Sequence, residues 1–172
     1  MPSYVELQVT SNYSFLRGAS RVEELFAQAA LSGHAALGIA DRNSVAGIAR
    51  AHGRAAEAGV RLVAGARLGF ADGTDLLLYP TDRAAWARLC RLVSLGRTRR
   101  HADGTEIARE DATRGGQRVW HLPRDALAEH AEGLLAVLLP PDATWDTAGA
   151  PDDGAPGAAA RSVITASSRR RS

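Results

Sequence analysis

Ala35-Ala36-Leu37-Gly38-Ile39-Ala40-Asp41, then an alanine-rich run from Ser44 to Ala58 closed by Gly59, then Val60-Arg61-Leu62-Val63-Ala64, reads as strand, helix, strand. Two short apolar runs separated by a helix are the alternation of an α/β layer, and Asp41 then stands at the carboxyl end of its strand. Working back from it, Tyr4 to Val9 has the β-branched, alternating character of a first strand. Ser11, Asn12 and Ser14 follow as a polar loop. Ser20 and Glu23 make an S-x-x-E capping box ahead of Leu25, Phe26, Ala29 and Ala30, which predicts a helix near 21 to 32 ended by Gly33.

Working forward, Ala71 to Thr74 reads as a turn into a further strand, Asp75 to Tyr79. A helix begins at Thr81 with Asp82 in its first turn, and Trp86, Leu89, Cys90 and Val93 recur at helical spacing. Ala102 to Gly116 is polar, Pro123 to Ala131 resembles a short helix, and Gly133 to Leu139 is another buried strand. The alternation predicts an α/β layer or barrel. After Pro140 and Pro141 the composition turns to Ala, Gly, Asp, Pro and Ser, ending in Arg169-Arg170-Arg171. The expected division is an ordered domain over 1–141 and a low-complexity, disordered tail over 142–172, whose apolar content is too small to offset chain entropy.

A chain of 172 residues suits one domain. All 21 basic residues are arginine, which reflects coding bias rather than mechanism, and with 19 acidic residues the net charge of +2 does not mark a nucleic-acid binder. Local clusters must carry any such claim. The one cysteine, Cys90, excludes an internal disulfide or a multi-cysteine zinc site, and is read as a buried helix residue rather than a reactive thiol. No basic leader and no long apolar span is present, so a soluble, cytoplasmic chain without membrane contact is expected.

The stretch Tyr4-Val5-Glu6-Leu7 with Ser11-Asn12-Tyr13-Ser14-Phe15-Leu16-Arg17-Gly18-Ala19-Ser20 resembles the opening of the error-prone branch of bacterial C-family DNA polymerases, relatives of the replicative alpha subunit. The resemblance continues through Ala36 to Asp41, Val45 to His52, Gly59 to Ala66, Leu92 to Gly96 and His130 to Ala136, and covers roughly positions 4 to 141. It implies a PHP (polymerase and histidinol phosphatase) domain, here the amino-terminal part of a distorted (β/α)7 barrel, incomplete, with sites at the carboxyl ends of the strands.

Metal-bearing members of that family carry an H-x-H on the first strand, an Asp-His pair after the second, a glutamate on the third and a histidine opening the fourth. These are groups that hold divalent ions and activate water for phosphoester hydrolysis. By resemblance the matching positions here are Gln8 and Thr10, Asp41 and Arg42, Arg67, and Asp75. A neutral amide, a hydroxyl and two guanidiniums are poor partners for dications, so a degenerate site with no metal and no catalytic residue is expected. Asp41 is expected to pair with Arg67 or Arg42 as a structural ion pair.

His34, His52, His101, His121 and His130 show no metal-ligand spacing. The cluster Arg97, Arg99, Arg100 and His101 is a candidate phosphate-contacting patch; the plainer reading is a solvated helix end complementing the macrodipole.

The family's polymerase centre, which holds magnesium ions, lies beyond the PHP domain, and nothing between Ala102 and Ser172 supplies its acidic residues. The resemblance therefore implies a structural or interaction module of a polymerase active in translesion synthesis and DNA repair, with DNA and other polymerase or mutasome components as partners. The unusual end implies a truncated product. Two rivals stand beside this reading: a freestanding PHP phosphoesterase or exonuclease, and a small nucleic-acid-binding module using the cluster at 97–101.

Overall fold

The computed structural model describes residues 4–70, 73–98, 113–114, 117–118, 122–139 and 163–164. Its elements are β1 (Val5–Val9), α1 (Val22–Leu31), β2 (Ala36–Arg42), α2 (Ile48–Ala58), β3 (Arg61–Gly69), β4 (Asp75–Pro80) and α3 (Arg83–Thr98). After these come β5 (Thr113–Arg114), β6 (Gln117–Arg118), α4 (Arg124–His130), β7 (Leu134–Leu139) and β8 (Val163–Ile164). The main sheet has the order β1-β2-β3-β4-β7-β8, and β5 and β6 form a separate two-stranded sheet among the described residues. β1, β2 and β3 are parallel, joined by the crossover helices α1 and α2, while β4, β7 and β8 are added antiparallel. The sheet is thus mixed, because the turn after β3 is too short for a crossover: Phe70 N–H donates to the Thr74 carbonyl at 2.8 Å.

Several boundaries move for local reasons. The box at the start of α1 is shifted by one residue, since the Arg21 N–H donates to Glu24 at 2.8 Å, and the predicted partner Glu23 faces Arg50 and Arg54 instead. α2 starts four residues after Ser44, because Ser44 Oγ accepts the Ala46 N–H and holds a turn there. Before that turn Asn43 adopts φ 52° and its side chain accepts the Gly69 N–H, tying the ends of β2 and β3 together. Asp82 caps α3 from outside it, accepting the Ala85 N–H at 2.7 Å.

The helices cover one face of the sheet. Phe26 of α1 and Ala51 of α2 pack on Leu37 and Ile39, and Leu89 and Leu92 of α3 pack with Leu68 and Leu78. Half-buried Trp86 touches both groups and joins them. On α3 the buried line runs through Ala85, Leu89, Leu92 and Gly96, so Trp86 and Cys90 flank the packed face rather than centre it. The opposite face carries Ala40, Leu77 and Tyr79. There the Tyr79 hydroxyl of β4 donates to the Leu7 carbonyl of β1, which requires the four strands between and including them to curl into a half-barrel. Gly65 makes room for the Tyr79 ring, where a Cβ would lie 2.5 Å away.

Among the tail residues only the β8 backbone is described, paired to Ala136 and Val137, so β7 has a neighbour on both sides at those positions. The rest of the expected tail lies outside the described residues.

Candidate functional site at the strand ends

β2 places Asp41 and Arg42 side by side, and strand alternation sends their side chains to opposite faces. Asp41 turns toward the helix side and is buried. There it accepts three hydrogen bonds from the loop after β1: the Ser11 N–H at 2.8 Å, Ser11 Oγ at 2.7 Å and Ser14 Oγ at 2.7 Å. Ser14 Oγ in turn accepts the Arg42 N–H at 2.8 Å. The fit is close, since a Cβ on Gly47 would come within 3.2 Å of Asp41 Oδ2. One backbone N–H and two serine hydroxyls satisfy the buried carboxylate, as buried charge requires.

Arg42 points into the half-barrel. It stands in register with Arg67 of β3, and both reach Asp75 at the start of β4. Arg42 Nη1 and Arg67 Nη2 each lie 2.5 Å from Asp75 Oδ2, and Arg67 Nε lies 2.8 Å from it. Gly69 keeps the floor open, with Asp75 Oδ1 and Arg42 Nη2 close to where a side chain would begin.

The expected pairing of Asp41 with Arg67 or Arg42 is therefore corrected. Asp75 takes both guanidiniums, because it shares their face and Asp41 does not. Two residues absent from the sequence-derived site, Ser11 and Ser14, hold Asp41. Their one signal in the sequence is a pair of hydroxyls three apart in the polar loop that follows β1. Gln8 is exposed on β1 and its N–H donates to Glu6, while Thr10 is half-buried where β1 ends. Arg97 lies at the end of α3 with Nη2 3.4 Å from the Asn43 carbonyl, beside the same rim. Arg99, Arg100 and His101 lie outside the described residues.

Chemically, this donor set does not fit a cluster of divalent ions. Guanidiniums only donate, Asp75 is engaged by both of them, and Asp41 is engaged by serines. Among the described residues no three His, Cys, Asp or Glu side chains are grouped to hold a metal. No described helix is long and apolar enough to cross a membrane.

Comparison with known proteins shows the family. The family model of the PHP domain matches residues 6–165. Error-prone DNA polymerase 2 of Rhizobium meliloti is 48% identical over 137 residues, which is 80% of this chain and 11% of that protein. Error-prone DNA polymerase 1 of Agrobacterium fabrum is 49% identical over 138 residues, again 80% and 11%. The chain thus spans about a tenth of the length of these curated relatives. Among solved structures, a Bifidobacterium adolescentis protein described as a metal-dependent phosphoesterase aligns at TM-score 0.42 and 19% identity, over 74% of this chain and 49% of that one. With its half-barrel and a family match across nearly its whole length, the chain belongs to the PHP domain family, and its sequence is similar to the PHP portion of bacterial error-prone DNA polymerases.

Proposed function

We propose that this chain serves as the PHP module of an error-prone DNA polymerase and acts as a structural or interaction element rather than as a phosphoesterase. The observation that supports it most is the sharing of Asp75 by Arg42 and Arg67, at three of the positions where metal-bearing relatives place ligands. An ion cluster of one carboxylate and two guanidiniums ties β2, β3 and β4 together, where the relatives' ligands would hold ions. In this reading the partners are DNA and other components of a translesion or repair polymerase assembly in the cytoplasm. DNA synthesis, with its magnesium ions, belongs to the polymerase centre of a full-length relative.

The test is hydrolysis. The purified chain, supplied with manganese or zinc, is expected to release no phosphate from a phosphate monoester and no nucleotide from single-stranded DNA. Turnover that disappears in Asp75→Ala and Asp41→Ala would establish the freestanding phosphoesterase reading instead. DNA binding with a steep salt dependence, lost on replacing Arg97, Arg99 and Arg100, would favour the nucleic-acid module.

A further inference from the structure

The helix side of β4 and β7 holds an apolar groove of about 420 Å³, with Leu76, Leu78, Leu134 and Leu138 as its floor and Phe70 and Leu127 as walls. Leu138 is 38% exposed, so the described residues leave the groove open. Among them Arg124 is the only charged residue that lines it. Its Nη2 lies 2.6 Å from Thr74 Oγ1, which puts the positive charge at the end of the groove where β4 begins.

The chain's own path passes that end. β7 finishes beside the start of β4, since Leu139 is in register with Asp75. β8 returns antiparallel at the same end, with Val163 opposite Val137. Residues 140–162 therefore start and finish close together, next to Arg124. This segment has one large apolar side chain, Trp145, and two carboxylates bracket it, Asp142 and Asp146. Trp145 follows Leu139 by six residues. That is a reach of about 20 Å, more than the roughly 14 Å of strand along the groove floor from Leu134 to Leu138. Charge separates Trp145 from the other apolar candidates. Trp120 has Arg118 beside it, and the exposed Phe15 and Leu16 have Arg17, all of the same sign as Arg124.

We propose that Trp145 docks in this groove, with Asp142 and Asp146 turned toward Arg124, so that the connection from β7 to β8 covers the apolar face of its own sheet. The indole removes a large apolar area from water, and the carboxylates meet a guanidinium at the groove's partly dry end. Both ends of the segment are already held, so docking costs little further loop closure and does not depend on protein concentration.

Fluorine NMR of the full 172-residue chain carrying fluorotryptophan tests this. The three tryptophans give separate resonances, assigned through Trp120→Phe and Trp145→Phe. At every protein concentration the Trp145 resonance is expected to be several-fold less relaxed by a soluble gadolinium chelate than it is in urea. Ala128→Glu, which puts a carboxylate in the groove, is expected to abolish that protection while Trp86 keeps its own and circular dichroism is unchanged. Leu138→Glu, at an exposed strand position, replaces Ala128→Glu if that variant does not fold. Asp142→Arg with Asp146→Arg is expected to expose Trp145 as well, and adding Arg124→Glu to restore its protection. An exposed Trp145 in the parent chain, or protection that survives the groove variants, would overturn the proposal. So would a charge reversal that restores nothing, a Trp120 resonance that responds to the groove variants in place of Trp145, or protection lost on dilution, which would assign the groove to a second copy.

Discussion

At Asp41 two oxygens accept three hydrogen bonds from one loop, so an amide there turns a donor toward groups that are themselves donors. Asp41→Asn is expected to lower the unfolding free energy by about 2–3 kcal/mol in urea titration. Arg67→Gln is not expected to restore any of it, because the two side chains share no partner among the described residues, and a double-mutant cycle between them should be additive within about 0.5 kcal/mol. Asp75→Asn leaves two half-buried guanidiniums facing each other without their carboxylate, a loss of about 3 kcal/mol, and its cycle with Arg42→Gln should show strong coupling. Leu16 reverses the usual direction of mutation. Asn tolerates its positive φ better than Leu does, and the side chain gives up no buried contact within the chain, so Leu16→Asn should raise the unfolding free energy by about 0.5–1 kcal/mol. The residues at these positions were readable from the sequence, but their partners were not. Pairing Asp41 with an arginine overlooked that neighbours on a strand face opposite ways, and the hydroxyls that hold Asp41 come from positions 27 and 30 residues earlier, a proximity only the folded chain creates.

Among the elements, Tyr79 connects β4 to β1 through the Leu7 carbonyl, at the place where the β1 register shifts between Glu6 and Val9. Burial, and then the nearby Glu6 carboxylate, raise the Tyr79 phenol well above its ordinary value. A raised folded-state value means that the unfolded chain loses this proton first as the pH climbs. Tyr79 therefore contributes stability that is fully present below about pH 10 and declines as the pH rises from there toward the folded value. Tyr79→Phe is expected to cost about 1 kcal/mol near neutrality, through loss of the hydroxyl's bond, and to flatten the alkaline fall in stability. An unchanged alkaline slope in unfolding curves would show that the Tyr79 proton is not linked to folding. Burial also pushes the Cys90 thiol up, in keeping with its place on the flank of α3. Helices and strands were legible because their apolar spacing is local. Boundaries slipped where side chains intervened: Ser44 delayed α2, and Glu24 rather than Glu23 closed the turn before α1.

Across the whole molecule, parallel β1, β2 and β3 follow from the two crossover helices, whereas the reversal at β4 follows from the tight turn at Phe70 to Thr74. The curl was expected from the family resemblance, as part of a barrel, but its local cause was not legible: it depends on glycines at 38 and 65 that admit Leu7 and Tyr79 from neighbouring strands. The curl brings Arg42, Arg67 and Asp75 together inside the half-barrel, and on that meeting rests the proposal that an ion cluster stands in for metal. Elemental analysis of the chain, produced in medium supplemented with manganese and zinc and then desalted, tests it most directly. Far less than one metal ion per chain and a melting temperature unchanged by chelator are expected. One or more tightly held ions per chain, lost together with stability in Asp41→Ala or Asp75→Ala, would contradict it.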